Sequence, residues 1–244
     1  MRRRVAILAG LALAPAVGPM VAQAHGAGDE ATVGRSVRQG FWLAAGLTVP
    51  AFLLLWNAAP ILRALGQPEE SIVLANGYAR AVVWGFPFAM GFTALRNFVE
   101  SLSRPRIVMV ITTLAVGLNV FLNDALMFGR YGLPALGVKG TGYATATIYF
   151  VEFLALVLYV RAVPSLRRYG VFEKLGRPDP VFFRKLLALG WPIGAAYGIE
   201  YGLFGAGALM VGQFGPTALG GHQIALNCAA FTFMVPLGVS IATS

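Results

Sequence analysis

Seven stretches of this chain run for about twenty residues or more with at most one charge each: Val5–Ala24, Gly40–Leu62, Ser71–Leu95, Ile107–Gly129, Gly140–Val160, Leu186–Phe214 and His222–Ser244. A hydrocarbon layer about 30 Å thick takes roughly 20 apolar residues per helix. In lipid the backbone must satisfy its own hydrogen bonds, and a helix does so within one segment. The pattern therefore predicts an all-α, polytopic transmembrane bundle with about seven membrane segments. Only 12% of the 244 residues are charged and 57% are hydrophobic, whereas a soluble domain carries about 25% charge. A soluble enzyme, a disordered tail and a nucleic-acid module are excluded on that ground. Pro50, Pro87, Pro192 and Pro236 fall inside the apolar runs; neighbouring helices can re-satisfy the backbone groups they free. The single cysteine, Cys228, can form no intrachain disulfide and matches no metal spacing.

The net charge of +9 sits between the runs. The longest loop, Arg161–Lys185, holds Arg161, Arg167, Arg168, Lys174, Arg177, Arg184 and Lys185, which the positive-inside bias places in the cytoplasm. Strict alternation then puts Arg35, Arg38, Arg96, Arg104 and Arg106 inside too. Only Arg63, Arg130 and Lys139 remain outside, twelve basic residues against three. Arg2, Arg3 and Arg4 break this alternation. Together with the first apolar run and Ala22–Ala24 they imitate a cleaved secretory signal.

Charge in the middle of a membrane costs at least about 2.5–3.5 kcal/mol on insertion scales, so each instance marks a candidate site. Glu200 stands at the centre of its run, Asp124 near the end of its helix, and Glu152 nearer the cytoplasmic side. Gly190, Gly194, Gly198 and Gly202, continued by Ala206, recur every four residues, a ladder that lets another helix approach closely. At 100° per residue Glu200 points away from that ladder, toward Tyr197, Ala196 and Phe204. A carboxylate flanked by aromatic rings suits an organic cation or a coupling ion. Thr112, Asn119 and Asn123, at spacings of seven and four, form a polar stripe that serves either as a site or as interhelical hydrogen-bond glue. No nucleophile triad, phosphate loop or metal set is legible, and His25 and His222 fall at helix ends.

"PMVAQAHGAGD" (19–29), "VRQGFWLA" (37–44), "ESLSRPR" (100–106), "LNVFLNDALMFG" (118–129), "GVKGTGYATA" (137–146), "GHQIALN" (221–227) and "FMVPLGVSIATS" (233–244) together resemble the multidrug and toxic compound extrusion (MATE) transporters. The resemblance covers the chain after about residue 10, and order and spacing carry it more than any single motif. It implies two six-helix lobes, of which this chain is similar to helices two through eight. Residues 1–160 would form an N-terminal lobe of five helices, lacking its first. Residues 161–185 would form the basic inter-lobe loop, and 186–244 the first two helices of the second lobe. On this reading the chain is a fragment, and the signal-like start is a coincidence.

The resemblance also implies a function: a secondary antiporter, not an enzyme, that exports cationic drugs and other xenobiotics across the inner (plasma) membrane in exchange for Na⁺ or H⁺. Glu200 matches the family's seventh-helix cation-site glutamate, a Na⁺ site whose tenth-helix partner falls outside these residues. Asn119 and Asn123 match the fifth-helix polar pair, with the acid shifted to Asp124, and Thr145 matches a sixth-helix threonine lining the same cavity. Tyr197 joins them from the aromatic face. No cofactor beyond the coupling ion is expected. The expected partners are small organic cations and the bilayer, with no nucleic acid and no protein partner indicated. Two alternatives stand beside this reading: a lipid-linked sugar flippase of the same superfamily, for which Arg80 is the one embedded arginine, and a remnant that inserts but transports nothing.

Overall fold

The computed structural model describes residues 17–172 and 178–243, and every regular element among them is helical. The all-α expectation holds. The first apolar run lies largely outside the described residues; its end forms α1 (Val17–Gly26), which contains the Ala22–Ala24 motif.

Local signals fix where the next helices begin and stop. α2 (Glu30–Trp56) starts ten residues before the second apolar run. The Asp29 carboxylate accepts the Thr32 amide at 2.9 Å, and Glu30 in the first turn faces the positive end of the helix dipole. Arg35 and Arg38 thus ride on a helix rather than a loop. α3 (Ala58–Ala64) follows a break at Asn57. The third apolar run divides into α4 (Glu69–Val82), a 3₁₀ turn at Val83–Gly85, and α5 (Phe86–Ser101). Pro87 stands in the first turn of α5; its missing N–H and its ring bar an unbroken α ladder through this point. α6 (Pro105–Phe128) opens on a proline and ends at Gly129, whose φ of 71° is the left-handed stop that glycine provides.

α7 (Val138–Ala162), a single turn α8 (Pro164–Arg167), α9 (Pro180–Gly212) and α10 (Pro216–Thr243) complete the chain. α9 begins six residues before its apolar run, because Asp179 caps it by accepting the amides of Val181 at 2.9 Å and Phe182 at 3.3 Å. Among the described residues four helical segments are long and apolar enough to cross a membrane: Glu30–Trp56, Pro105–Phe128, Val138–Ala162 and Pro216–Pro236.

α7 is the hub, packed against α4, α5 and α6. Glycine makes the approach close. A Cβ on Gly142 would lie 2.7 Å from the Ala81 Cβ, and one on Gly85 would lie 2.5 Å from the Ala146 Cα. The apolar core gathers Val21 of α1, Val37 of α2, Phe98 of α5, Leu156 and Val160 of α7, and Leu186 of α9 around Leu166 and Tyr169. At this end Arg35 pairs with Asp179, Arg168 pairs with Glu30 at 3.2 Å, and Arg38 donates to the Gly170 carbonyl at 2.8 Å. Basic residues from α2 and from the loop after α7 therefore share one end of the bundle. The far end of α9 is tied separately, Gln67 Nε2 donating to the Leu209 carbonyl at 2.8 Å.

Candidate functional site

α9 carries the central carboxylate. Glu200 is exposed, and no hydrogen bond or ion pair among the described residues reaches it. One turn before it, Tyr197 stacks on Tyr201 with ring centroids 6.1 Å apart and planes 25° from parallel; Phe204, one turn after, is also exposed. The i, i+3 and i+4 spacings make these side chains neighbours on one helix surface. The glycine ladder divides. Gly190 and Gly194 are buried, whereas a methyl on Gly198 or Gly202 would meet nothing within 4 Å. The buried part of the ladder therefore lies in the first half of α9. The face with Glu200 stays open.

α6 and α7 carry the remaining candidates. Asn123 Nδ2 donates to Asn119 Oδ1 at 2.8 Å, as an i, i+4 pair on one face permits. The buried Asn123 Oδ1 has no partner among the described residues. Thr112, the third member of the stripe, turns its hydroxyl back to the Val108 carbonyl of its own helix. Asp124 points elsewhere: it pairs with Arg130 at 3.0 Å across the end of α6. Thr145 donates to the Thr141 carbonyl at 2.9 Å, one turn beyond the Gly142 contact that presses α7 on α4. The structure thus joins Asn119 to Asn123 and Tyr197 to the Glu200 face, as two separate groups. Among the described residues no three His, Cys, Asp or Glu side chains cluster as metal ligands would.

Two features went unread in the sequence. One is the burial of Glu152, which stands at 8% exposure in α7; among the described residues Ser36 and Gln39 are the other buried polar side chains. Gln39 and Asp179 also lie far apart in sequence, yet Gln39 Oε1 accepts the Asp179 amide at 3.1 Å. Within this contact the Phe182 amide, followed by Arg35, holds the Asp179 carboxyl below its ordinary value. The helix-start pattern Asp-Pro at 179–180 was the available signal for the cap; its partner on α2 left none.

A bundle of long apolar helices, with an acid and aromatic rings on one face of α9 and an amide pair on α6, defines the class: a polytopic membrane protein of helical-bundle fold. The comparisons with known proteins make this specific. The family model MatE matches residues 4–124 and 192–244, and the chain belongs to that family. It is similar, at 28% identity and a TM-score of 0.74, to a structure described as the MATE transporter NorM-NG in complex with rhodamine 6G and a monobody, covering 93% of this chain and 50% of that one. A structure described as the inward-facing conformation of a multidrug resistance MATE family transporter of the MOP superfamily shares the fold with a TM-score of 0.69 at 18% identity, covering 85% of this chain and 44% of that one. A third, described only as protein C, matches at 27% identity and a TM-score of 0.66 over 94% of this chain and 50% of that one. The chain spans about half the length of these structures.

Proposed function

We propose that this chain forms the cation-handling portion of a secondary antiporter of the inner membrane, which exports lipophilic organic cations in exchange for Na⁺ or H⁺. The observation that carries the reading is Glu200, an unpartnered acid inside a long apolar helix beside the stacked Tyr197–Tyr201 pair. A carboxylate supplies charge, and the aromatic faces supply cation–π attraction. A ligand shifts a conformational equilibrium only through differential affinity for the two states. A drug cation and a coupling ion that compete for one carboxylate meet that condition. The neighbouring structure's complex with rhodamine 6G supports the choice of ligand class.

Asn119 and Asn123 serve in this reading as a polar lining, with the free Asn123 Oδ1 as the acceptor offered to a ligand. Thr145 of α7 belongs to this reading through the family resemblance, its hydroxyl donating to the Thr141 carbonyl. Asp124 is the weaker candidate, since Arg130 neutralises it. The flippase alternative gains nothing from Arg80, whose guanidinium lies 5.1 Å over the Trp56 ring rather than in an arginine-lined cavity. Fluorescence polarisation of rhodamine 6G with the purified chain in detergent tests the proposal. Saturable binding, weakened by Na⁺ or by acidification, is expected; binding indifferent to both would refute ion-coupled cation handling.

A further inference from the structure

A pocket of about 390 Å³ opens where α7 passes into α8. Val160, Leu166, Val171 and Phe172 wall it, and Arg161 and Arg167 stand at it. The wall is firmly built, with Val160, Leu166 and Val171 at 1%, 1% and 2% exposure. The Arg161 guanidinium lies 5.0 Å over the Phe172 ring, beside the opening. Among the described residues no acid lines the pocket. Of the described acids at this end, Glu30 pairs with Arg168 and Asp179 with Arg35. Among the described residues, neither the Arg161 nor the Arg167 side chain forms an ion pair.

We propose that this pocket binds the headgroup phosphate of an anionic phospholipid. Arg161 stands in the last turn of α7, a helix long and apolar enough to span a bilayer, so the pocket lies at headgroup depth. Two guanidinium groups that form no ion pair among the described residues match a phosphate, which arginine binds bidentately. The apolar wall beneath them suits the glycerol and upper acyl carbons, surface that a soluble anion would leave unused. Basic pockets at the cytoplasmic ends of membrane helices bind anionic lipids by this combination. The inference rests on the membrane reading above but not on Glu200.

Native mass spectrometry of the chain in micelles containing equimolar phosphatidylglycerol and phosphatidylcholine tests it. Preferential retention of phosphatidylglycerol is expected, falling about fivefold for each arginine removed in R161Q/R167Q. R104Q/R106Q, which removes two arginines outside the pocket, should retain the preference. Equal loss in both double variants would overturn the pocket in favour of a diffuse basic surface. Displacement of the lipid by millimolar inorganic phosphate would overturn it in favour of a soluble-anion site, and equal retention of both lipids would overturn it outright. Should R161Q/R167Q fail to fold, R161K/R167K keeps the charge and loses the planar fork; undiminished retention by that variant would also count against the proposal. Dye binding measured on the same samples separates this outcome from failure of the Glu200 reading.

Discussion

Gly142 of α7 faces α4 so closely that a methyl group would lie 2.7 Å from the Ala81 Cβ and 2.8 Å from the Tyr78 carbonyl oxygen. Resting carbon atoms sit about 3.5–4.0 Å apart, so Gly142→Ala must part the helices by roughly 0.8 Å even to reach the near end of that range. A gap of that size forfeits about a quarter to a half of each dispersion contact it opens, and overpacked cores lose about 1–3 kcal/mol. Alanine also gains about 1 kcal/mol in helix propensity, which would mask part of the loss. Gly117 of α6 supplies the reference, because a methyl there meets nothing within 4 Å. Gly117→Ala receives the propensity gain without the clash, and the difference between the two variants is the packing cost. For a chain of this length 1 kcal/mol moves Tm by about 2–4 °C. Gly142→Ala should therefore melt about 2–12 °C below Gly117→Ala. Tryptophan-fluorescence melting in detergent, with size-exclusion profiles as a check, makes the measurement. Equal melting temperatures would refute the packing of α4 on α7 through this glycine.

Three further outcomes follow from the ends of the helices. Asp29 and Asp179 are held below the ordinary carboxylate value of 3.8, Asp29 first by the Thr32 hydroxyl and Asp179 first by the Phe182 amide. A depressed folded value means their stabilisation is complete above the unfolded value and fades as pH falls through the folded one. Exchange protection of the Thr32, Val181 and Phe182 amides should drop in that acid range; in Asp179→Asn the step at Val181 and Phe182 should vanish. Gln67→Ala removes the bond that ties the end of α9 to the loop before α4, so deuterium uptake over residues 209–215 should rise while residues 181–190 stay unchanged. With the exposed Cys228 first replaced, a cysteine at position 131 should react with an impermeant reagent on intact cells and one at position 167 should not; the reverse pattern would invert the topology.

The apolar runs made the helical membrane class legible because lipid leaves the backbone so few options. Helix starts were less legible. Asp29 and Asp179 are caps outside the apolar runs, so hydropathy alone set α2 and α9 too short at their beginnings. The 3₁₀ turn before Pro87 was hidden for the opposite reason, since a run of uniform hydrophobicity does not register a local backbone break. The packing glycines were misjudged in location. Four-residue spacing is necessary for a close helix contact but does not name the partner, and Gly142 with Ala146 meets one where Gly198 and Gly202 do not. At the candidate site the Asn119–Asn123 pair was readable as i, i+4 neighbours. The Asp124–Arg130 pair crosses a helix end, where periodicity gives no guidance, and the burial of Glu152 depends on which faces of α5 and α7 meet.

In the function proposed above, the Glu200 carboxylate is where an organic cation and the coupling ion compete. Glu200→Gln preserves size and removes the charge, and loss of charge from an exposed position inside an apolar helix should not impair membrane insertion. The decisive measurement is equilibrium binding of a lipophilic cationic dye to the purified wild-type and Glu200→Gln chains, titrated with Na⁺ and with acid at matched protein concentration. The variant should bind at least about tenfold more weakly, a loss of about 1.4 kcal/mol, and Na⁺ and protons should no longer alter what binding remains. Unchanged affinity with unchanged ion competition would contradict the proposal and move the site to the Asn119–Asn123 face of α6.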